Sequence, residues 1–188
     1  MNKRIFISIA LPENIRRKLV GGQEEISRSF GDFCPIKWTR PGNLHITLFF
    51  VGYVELEELP EIFKTIEEAA ARHEPFAIEI EGISYGPSGK APKMVWANGK
   101  KSPELAALQS DLNDKLAQLS MSDNKFTPHI TLGRIVQWQF NRIEPEERPD
   151  INISLPLSFS VESIDVMESN LKRGGAQYTV LESFPLKQ

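Results

Sequence analysis

The chain carries the tetrapeptide His-Ile-Thr-Leu twice, at residues 45–48 and at residues 129–132. It has three histidines among its 188 residues, and two of them open these identical segments. With this composition, another histidine would be followed by Ile-Thr-Leu by chance on the order of once in a thousand trials. The repeat therefore indicates either a duplication or a chemical role that the two segments share.

Each copy presents one imidazole and one hydroxyl if it forms a β-strand. Side chains alternate between the two faces of a strand, so His45 and Thr47 point the same way, as do His129 and Thr131. The Ile and Leu of each copy then point into the core. Two such strands facing each other would line a cleft with two histidines and two threonines.

A cleft of this kind suits phosphoryl chemistry without a metal. A neutral histidine can take a proton from water while a protonated histidine gives one to the leaving oxygen. Because imidazole titrates at about pH 6.5, both forms are available at neutral pH. The threonine hydroxyls can donate hydrogen bonds to phosphoryl oxygens as negative charge builds up on them.

Two other interpretations of the histidines are weaker. A lone His-x-Thr in a strand usually belongs to the surface or the core, but its repetition favours function. A metal site would need further Cys, His or carboxylate ligands, and both neighbourhoods lack them apart from Cys34. We therefore expect neither a metal nor another cofactor. The third histidine, His73, is explained as a solvated residue near a helix C-terminus.

Charge is distributed unevenly along the chain, although the net charge is only −3. Neither Asp nor Glu occurs in residues 33–54 or in residues 124–143, where the composition predicts about three in each window. Strands disfavour acidic residues, which explains part of this depletion. The basic residues inside the windows still favour an anionic ligand; they are Lys37, Arg40, Lys125, Arg134 and Arg142.

Hydrophobic periodicity predicts three helices separated by strands. Two helices are indicated over roughly 12–30 and 56–72, and a third begins with Ser102 as its cap and Pro103 in its first turn. One side of this third helix carries leucines at positions 105, 108, 112, 116 and 119. Strands are predicted at residues 4–11, 36–39, 44–51, 76–85, 93–98, 128–136, 157–168 and 177–184. Hairpins between helices indicate an α+β fold with antiparallel sheets.

The overall composition is that of an ordinary globular protein, with 40% hydrophobic and 25% charged residues. The length fits one large domain or two closely packed lobes. The single cysteine cannot form an internal disulfide, which suits a reducing cytoplasm. No apolar run approaches the roughly 20 residues of a membrane span. We expect a cytoplasmic monomer without contact to a membrane.

At its two motifs the chain resembles the two-histidine (2H) phosphoesterase superfamily, which is defined by paired His-x-Thr-x motifs. More narrowly, it resembles the bacterial and archaeal RNA 2′,3′-cyclic phosphodiesterases, also called 2′-5′ RNA ligases. The resemblance covers essentially the whole chain. Its further parts are the opening strand at 4–9, the approach to the first motif at 38–44, Gly52, Phe126-Thr127-Pro128, Arg134, Tyr178 and the Phe184-Pro185-Leu186 ending.

This resemblance implies a bilobal α+β fold with pseudo-twofold symmetry, in which residues 1–188 form a single domain. Each lobe would contribute one motif to a central cleft, with antiparallel sheets lining it and helices packed outside. The implied reaction is hydrolysis of RNA 2′,3′-cyclic phosphate ends to 2′-phosphomonoesters. The reverse reaction, attack of a 5′-hydroxyl on the cyclic phosphate, would give ATP-independent 2′-5′ ligation.

The resemblance also implies roles for five residues. His45 would donate a proton to the departing 3′-oxygen, and His129 would activate water. Thr47, Thr131 and Arg134 would bind the phosphate. Strict alternation from His129, however, puts Arg134 on the opposite face of the strand. Arg134 reaches the phosphate only if the strand bulges or ends near Gly133, a residue type that permits this.

Aromatic residues offer one candidate contact to a nucleobase. Phe49 should share a face with His45 and Thr47, which makes it the best placed of them. The three tryptophans are better explained by core packing; they are Trp38, Trp96 and Trp138.

Three other functions stay open at this point. The substrate could be a small cyclic phosphate, such as ADP-ribose 1″,2″-cyclic phosphate, instead of an RNA end. The chain could also be a non-catalytic RNA- or nucleotide-binding module, although pure binding does not need two titrating imidazoles. A purely structural protein agrees least with the repeat.

Overall fold

The computed structural model describes residues 2–88, 91–100, 102–117, 126–173 and 175–187. Within these ranges the chain forms one antiparallel sheet with helices packed on it, which confirms the α+β prediction. The strands are β1 Asn2–Ala10, β2 Ile36–Trp38, β3 His45–Glu55, β4 Phe76–Gly86, β5 Met94–Gly99, β6 His129–Ile135, β7 Asn152–Val161, β8 Ser163–Lys172 and β9 Gly175–Pro185. The helices are α1 Glu13–Ser29, α2 Leu59–Ala70, α3 Pro103–Leu116 and the short α4 Gln137–Phe140.

The two strands that begin with the motif histidines lie at the centre of the sheet. The strand order is β7-β4-β5-β6-β3-β1-β8-β9, and the short β2 adds to β6. The path therefore divides into two halves of four strands, β7-β4-β5-β6 and β3-β1-β8-β9, and β6 and β3 are the strands at which the halves meet. Within the described ranges, a single residue pair, Ile46 with Ile130, joins the two halves. The two sheets expected from the resemblance are thus continuous through this pair.

The helices cross between the halves. α1 follows β1, which lies in the half that β3 ends, but contacts β6 and β7 in the other half. α3 lies between β5 and β6 of that other half but contacts β3, as well as β4 of its own half. Their apolar faces are buried, which confirms the periodicity that predicted them. The Ser102 hydroxyl accepts a hydrogen bond from the Leu105 amide at 3.1 Å, as expected of a cap. Leu119 and Lys125 lie outside the described residues.

One predicted strand is two strands in the structure. The sequence pattern predicts a single strand over 157–168, but β7 ends at Val161 and β8 begins at Ser163. β7 pairs with β4 in one half, whereas β8 pairs with β1 in the other. Apolar residues on both sides of Glu162 hide this crossing from the sequence pattern, because both strands pack on the same core.

The tryptophan prediction is only partly right. Trp38 is half-buried and packs against the core. Trp138 is 64% exposed on the short helix α4, so core packing is wrong for this residue. None of the helices in the described ranges has the length and apolar composition that a membrane crossing requires.

Two adjacent glycines of α1 allow helix propensity to be separated from packing. A Cβ on the exposed Gly21 would meet nothing within 4 Å, so Gly21→Ala should stabilise the protein by about 0.5–1 kcal/mol. At the buried Gly22, the added Cβ would collide with Cδ1 of Ile83 on β4. Gly22→Ala should therefore be less stable than Gly21→Ala by about 1–3 kcal/mol. Urea unfolding measures both, and equal stabilities would contradict this packing of α1 on β4.

Candidate active site

The similarity of β3 and β6 extends beyond the tetrapeptides. Residues 45–51 and 129–135 share one burial pattern, in which the first and third residues are half-buried and the sixth is exposed. The other four residues of each segment are buried in the core. The sixth residues are Phe50 and Arg134, so these two side chains occupy equivalent positions in the two halves.

A β-bulge in each strand produces this pattern. On β3, Thr47 lies opposite Ser8 and Phe49 lies opposite Ile7, which leaves Leu48 as an extra residue. On β6, Thr131 lies opposite Trp96 and Gly133 lies opposite Val95, which leaves Leu132 as the extra residue. One inserted residue resets the alternation of side chains beyond it.

The bulges decide two of the sequence predictions. The sequence placed Arg134 on the face of His129 only if the strand bulged or ended near Gly133. The bulge at Leu132 meets this condition, and Arg134 lines the same cavity as His129. Phe49 lines the cavity as well, but it is only 5% exposed and packs in the core, so it is not the best placed aromatic residue for a ligand. Phe50 also lines the cavity and is 53% exposed.

A buried glutamine supports the bulge on β6. The Gln23 amide of α1 donates hydrogen bonds to the carbonyls of Thr39, at 3.0 Å, and Leu132, at 2.8 Å. Gly133 follows Leu132, and a Cβ there would collide with Ile36 and Trp38 of β2. Sequence reasoning missed Gln23, although a polar residue at an apolar position of an amphipathic helix, between Leu19 and Ile26, was a signal.

Both histidines are held by the same main-chain contact. Nδ1 of His45 donates to the carbonyl of Asn43 at 2.7 Å, and Nδ1 of His129 donates to the carbonyl of Thr127 at 2.8 Å. In each case the acceptor lies two residues earlier in the chain. Because a carbonyl only accepts, these bonds place a proton on Nδ1 and leave Nε2 of each ring for chemistry.

All five predicted site residues line one cavity of about 410 Å³. It is formed around the junction of β3 and β6, and the described residues that line it include no Asp or Glu. Nor do the described parts of the chain contain a group of three or more His, Cys, Asp or Glu side chains that could hold a metal ion. Arginines and imidazoles are the described lining groups that can carry positive charge toward an anion. Other lining residues are Arg4, Phe6, Phe50, Met94 and Tyr178.

The surroundings of His45 are aromatic. Its ring lies 5.0 Å from the ring of Phe6 on β1 and meets Tyr178 of β9 edge-on at 5.3 Å. Its Nε2 lies 2.9 Å from the Thr47 hydroxyl. In the neutral ring this hydroxyl donates to Nε2, and in the protonated ring Nε2 donates to the hydroxyl.

The surroundings of His129 differ. Its ring lies 4.7 Å from Trp96 of β5, so Trp96 contacts an imidazole of the site. Gly86 of β4 makes room for the indole, because a Cβ at this position would overlap it. The Thr131 hydroxyl has a weak contact with the sulfur of Met94 at 3.8 Å.

Comparison with known proteins assigns the chain to a family. The sequence model of the 2′-5′ RNA ligase superfamily matches residues 34–173. An RNA 2′,3′-cyclic phosphodiesterase of Thermus thermophilus is 31% identical over 98% of this chain and 90% of its own length. A protein of the same name from Archaeoglobus fulgidus is 34% identical over 70% of this chain and 72% of its own. The chain belongs to the 2′-5′ RNA ligase superfamily.

A solved structure from Thermus thermophilus shares the whole fold with this superfamily member. The two superpose with a TM-score of 0.80 at 29% identity, and the alignment covers 98% of each chain. The arrangement of the central strands and crossing helices is therefore a property that this chain has in common with a solved relative.

Electrostatics favours neutral imidazoles in the cleft of this superfamily member. Burial lowers the pKa of His45, the hydrogen bond to Asn43 partly offsets this, and the neighbouring His129 lowers it further. Burial likewise lowers the pKa of His129, the bond to Thr127 opposes it, and the positive charge of Arg134 lowers it again. A bound phosphate would supply the negative charge that stabilises the protonated ring.

The remaining candidates lie elsewhere. Of the cations in the acid-free windows that the structure describes, only Arg134 is among the residues that line the cavity. Arg4, outside those windows, also lines it. His73 follows α2, as expected, but it is not simply solvated, because its Nε2 lies 3.1 Å from a carboxylate oxygen of Asp111.

Titration of the imidazoles tests this electrostatic environment. Both cleft histidines should titrate below the ordinary value of about 6.5, and inorganic phosphate should raise both pKa values. Imidazole NMR signals recorded against pH, with and without phosphate, measure this.

The same shifts make stability depend on pH. The unfolded chain binds protons on these histidines more readily than the folded chain does. Their contribution to stability should be present above about pH 6.5 and lost as the pH falls toward the lower folded values. Cleft histidines with pKa values above the ordinary value in the absence of phosphate would contradict the expected effect of burial on these two rings.

Proposed function

We propose that this chain is a metal-independent phosphodiesterase that opens RNA 2′,3′-cyclic phosphate ends to 2′-phosphomonoesters. The observation that carries the proposal is the pair of imidazoles, His45 and His129, held alike through Nδ1 and lining one cavity. The relatives from Thermus thermophilus and Archaeoglobus fulgidus, which are RNA 2′,3′-cyclic phosphodiesterases, support the same reaction.

In the proposed mechanism, His129 is the base and His45 is the acid. Nε2 of His129 takes a proton from water as the water oxygen bonds to phosphorus. The bond from phosphorus to the 3′-oxygen breaks, and Nε2 of His45 gives this oxygen its proton. The charge of Arg134 beside His129 supports the assignment, because it favours the neutral ring that a base requires.

Thr47, Thr131 and Arg134 bind the phosphate in this proposal. All three line the cavity with the histidines. The two hydroxyls can donate to the non-bridging oxygens, and the guanidinium offsets the charge that develops on them. The described lining residues include no carboxylate, which suits an anion and gives a divalent cation none of the acidic ligands it prefers.

One chain is sufficient for the proposed site. Both motifs and all five site residues come from the same 188 residues, so we propose a monomer in which the chain acts as a single bilobal domain. The lone, unpaired Cys34 supports action in a reducing cytoplasm. The reverse reaction would join a 5′-hydroxyl end to the cyclic phosphate without ATP.

Hydrolysis of adenosine 2′,3′-cyclic phosphate in excess chelator tests the reaction. We expect full activity and the 2′-monophosphate as product, identified by chromatography against both isomers. ADP-ribose 1″,2″-cyclic phosphate, assayed in parallel, should be the poorer substrate. Activity that disappears with chelator and returns with a metal would contradict the mechanism, and preference for the ADP-ribose compound would contradict the substrate.

Glutamine substitutions test the two histidine roles. His45→Gln and His129→Gln should each lower kcat by roughly 10²–10⁴, the usual contribution of a positioned acid or base. His73→Gln is the matched control outside the cavity and should retain wild-type kcat. Steady-state kinetics on the cyclic nucleotide measures all three variants.

A better leaving group separates the acid from the base. A nitrophenolate departs without protonation, so a nitrophenyl phosphodiester should restore turnover to His45→Gln but not to His129→Gln. Rescue of the His129 variant instead would reverse the two roles. Rescue of neither would indicate that both rings mainly position the phosphate.

A further inference from the structure

Basic residues of the two acid-free segments meet in the structure. Residues 33–54 and 124–143 contain neither Asp nor Glu, and of their described basic residues only Arg134 lines the cavity. β2 comes from the first segment and β6 from the second, and the two strands pair antiparallel. This register puts Lys37 of β2 directly opposite Arg134 of β6. Two cations from distant parts of the chain are therefore neighbours at the edge of the site.

The side chain of Lys37 lies on the face of β2 that continues the wall of the cavity. Ile36 and Trp38, on either side of it, pack against the core and occupy the space beside Gly133. Because side chains alternate along a strand, Lys37 points the other way, and it is exposed. Thr39, two residues further along on the same face, lines the cavity. Lys37 thus extends the cavity wall outward, beyond the residues that line it.

Lys37 and Arg134 are like charges placed side by side. Directly opposite residues of an antiparallel pair have Cβ atoms about 4.5–5.5 Å apart, and like charges at this spacing destabilise a sheet. Among the described residues, no carboxylate forms an ion pair with either side chain. A cyclic phosphate is a diester with one negative charge, so it balances only one of the two cations. The pair is arranged for a second anionic group next to the first.

An RNA end supplies such a second group. A 2′,3′-cyclic phosphate closes the 3′ end of the chain, so the chain continues only from the 5′-oxygen of the same nucleotide. The next anionic group in that direction is the internucleotide phosphate, which also carries one negative charge. With Arg134 on the cyclic phosphate, Lys37 is the adjacent cation where the cavity opens to solvent. A cyclic mononucleotide has no phosphate to place there.

We propose that Lys37 binds the internucleotide phosphate on the 5′ side of the terminal nucleotide. It thereby favours RNA ends over cyclic mononucleotides and other small cyclic phosphates. The inference rests on the proposed function, because it takes Arg134 as a ligand of the cyclic phosphate, and it adds a specificity-determining residue outside the cavity. Since a phosphate contact carries no sequence information, the preference should not depend on the upstream base.

A pair of substrates with and without this phosphate tests Lys37. We compare kcat/KM for adenosine 2′,3′-cyclic phosphate and for the dinucleotide adenylyl-(3′→5′)-adenosine 2′,3′-cyclic phosphate. Wild type should prefer the dinucleotide. Lys37→Gln should lower kcat/KM for the dinucleotide by roughly 3–10-fold, mainly through KM, because it removes one charge-assisted contact at an exposed position. The mononucleotide value should not change, and Lys37→Arg should restore the dinucleotide value.

A neutral linkage shows whether Lys37 acts through this phosphate. In wild type, a dinucleotide with a methylphosphonate between its nucleosides should lose the same factor as the Lys37→Gln substitution. Lys37→Gln should then cause no further loss on the methylphosphonate compound. For the charged dinucleotide, the slope of log kcat/KM against log salt concentration should become shallower by about 0.7 in Lys37→Gln, the value expected for one phosphate contact of a single strand.

Lys64→Gln is the matched control. Lys64 is an exposed lysine of α2 and is not among the residues that line the cavity, so its loss should leave both substrates unaffected. The urea midpoint of Lys37→Gln should not fall below that of wild type, since the substitution relieves a like-charge contact.

Two results would overturn the inference. Equal losses on the mononucleotide and the dinucleotide in Lys37→Gln would show a general effect on the site. Equal losses on the charged and methylphosphonate dinucleotides would show that Lys37 does not respond to the charge of this phosphate. Wild-type protein that is inactive on both the mononucleotide and the dinucleotide would instead contradict the proposed function itself.

Discussion

Where β3 and β6 meet, Ile46 and Ile130 form the backbone pair that joins the two halves of the sheet. Both isoleucines are buried beneath the sheet, at 2% and 1% exposed. Because side chains alternate along a strand, pairing these two residues brings the flanking His and Thr of each motif together on the opposite face. A slip of one residue would send the histidines into the core. α1 contacts β6 and β7 in one half of the sheet, and α3 contacts β3 in the other half. These contacts across the junction oppose such a slip.

The charges of the cleft follow from what surrounds the imidazoles. Burial favours the neutral rings, and main-chain carbonyls, not carboxylates, hold Nδ1 of each. A carboxylate at these positions would stabilise the protonated ring and repel a phosphate. Among the described lining residues Arg4 and Arg134 carry fixed positive charge, which suits an anionic substrate.

The two halves are similar in backbone and different in side chains. The burial patterns of residues 45–51 and 129–135 agree, as do the bulges that follow the motif threonines. The neighbours differ, because His45 contacts Phe6 and Tyr178 whereas His129 contacts Trp96 and lies near Arg134. The proposed acid–base mechanism needs such a difference, because one ring must be neutral while the other is protonated. The two strands hold the imidazoles alike, and the different neighbours give each ring its own environment.

The sequence by itself determined the features that depend on local periodicity. Alternation in the two motifs placed His45, Thr47, His129 and Thr131 on common faces, and the leucine spacing of α3 predicted its buried side. Charge depletion around the motifs pointed to an anion. These patterns are short-range, so they can be read without knowing which elements are neighbours.

Only the tertiary structure decided what depends on pairing between distant strands. The bulges at Leu48 and Leu132 follow the motif threonines, which lie opposite Ser8 and Trp96 of other strands, and they gave Phe50 and Arg134 the exposed positions at the cavity. Gln23, Arg4 and Tyr178 reach the site from elements far away in the chain. Register shifts and contacts of this kind arise from the packing of whole elements, which no local pattern encodes.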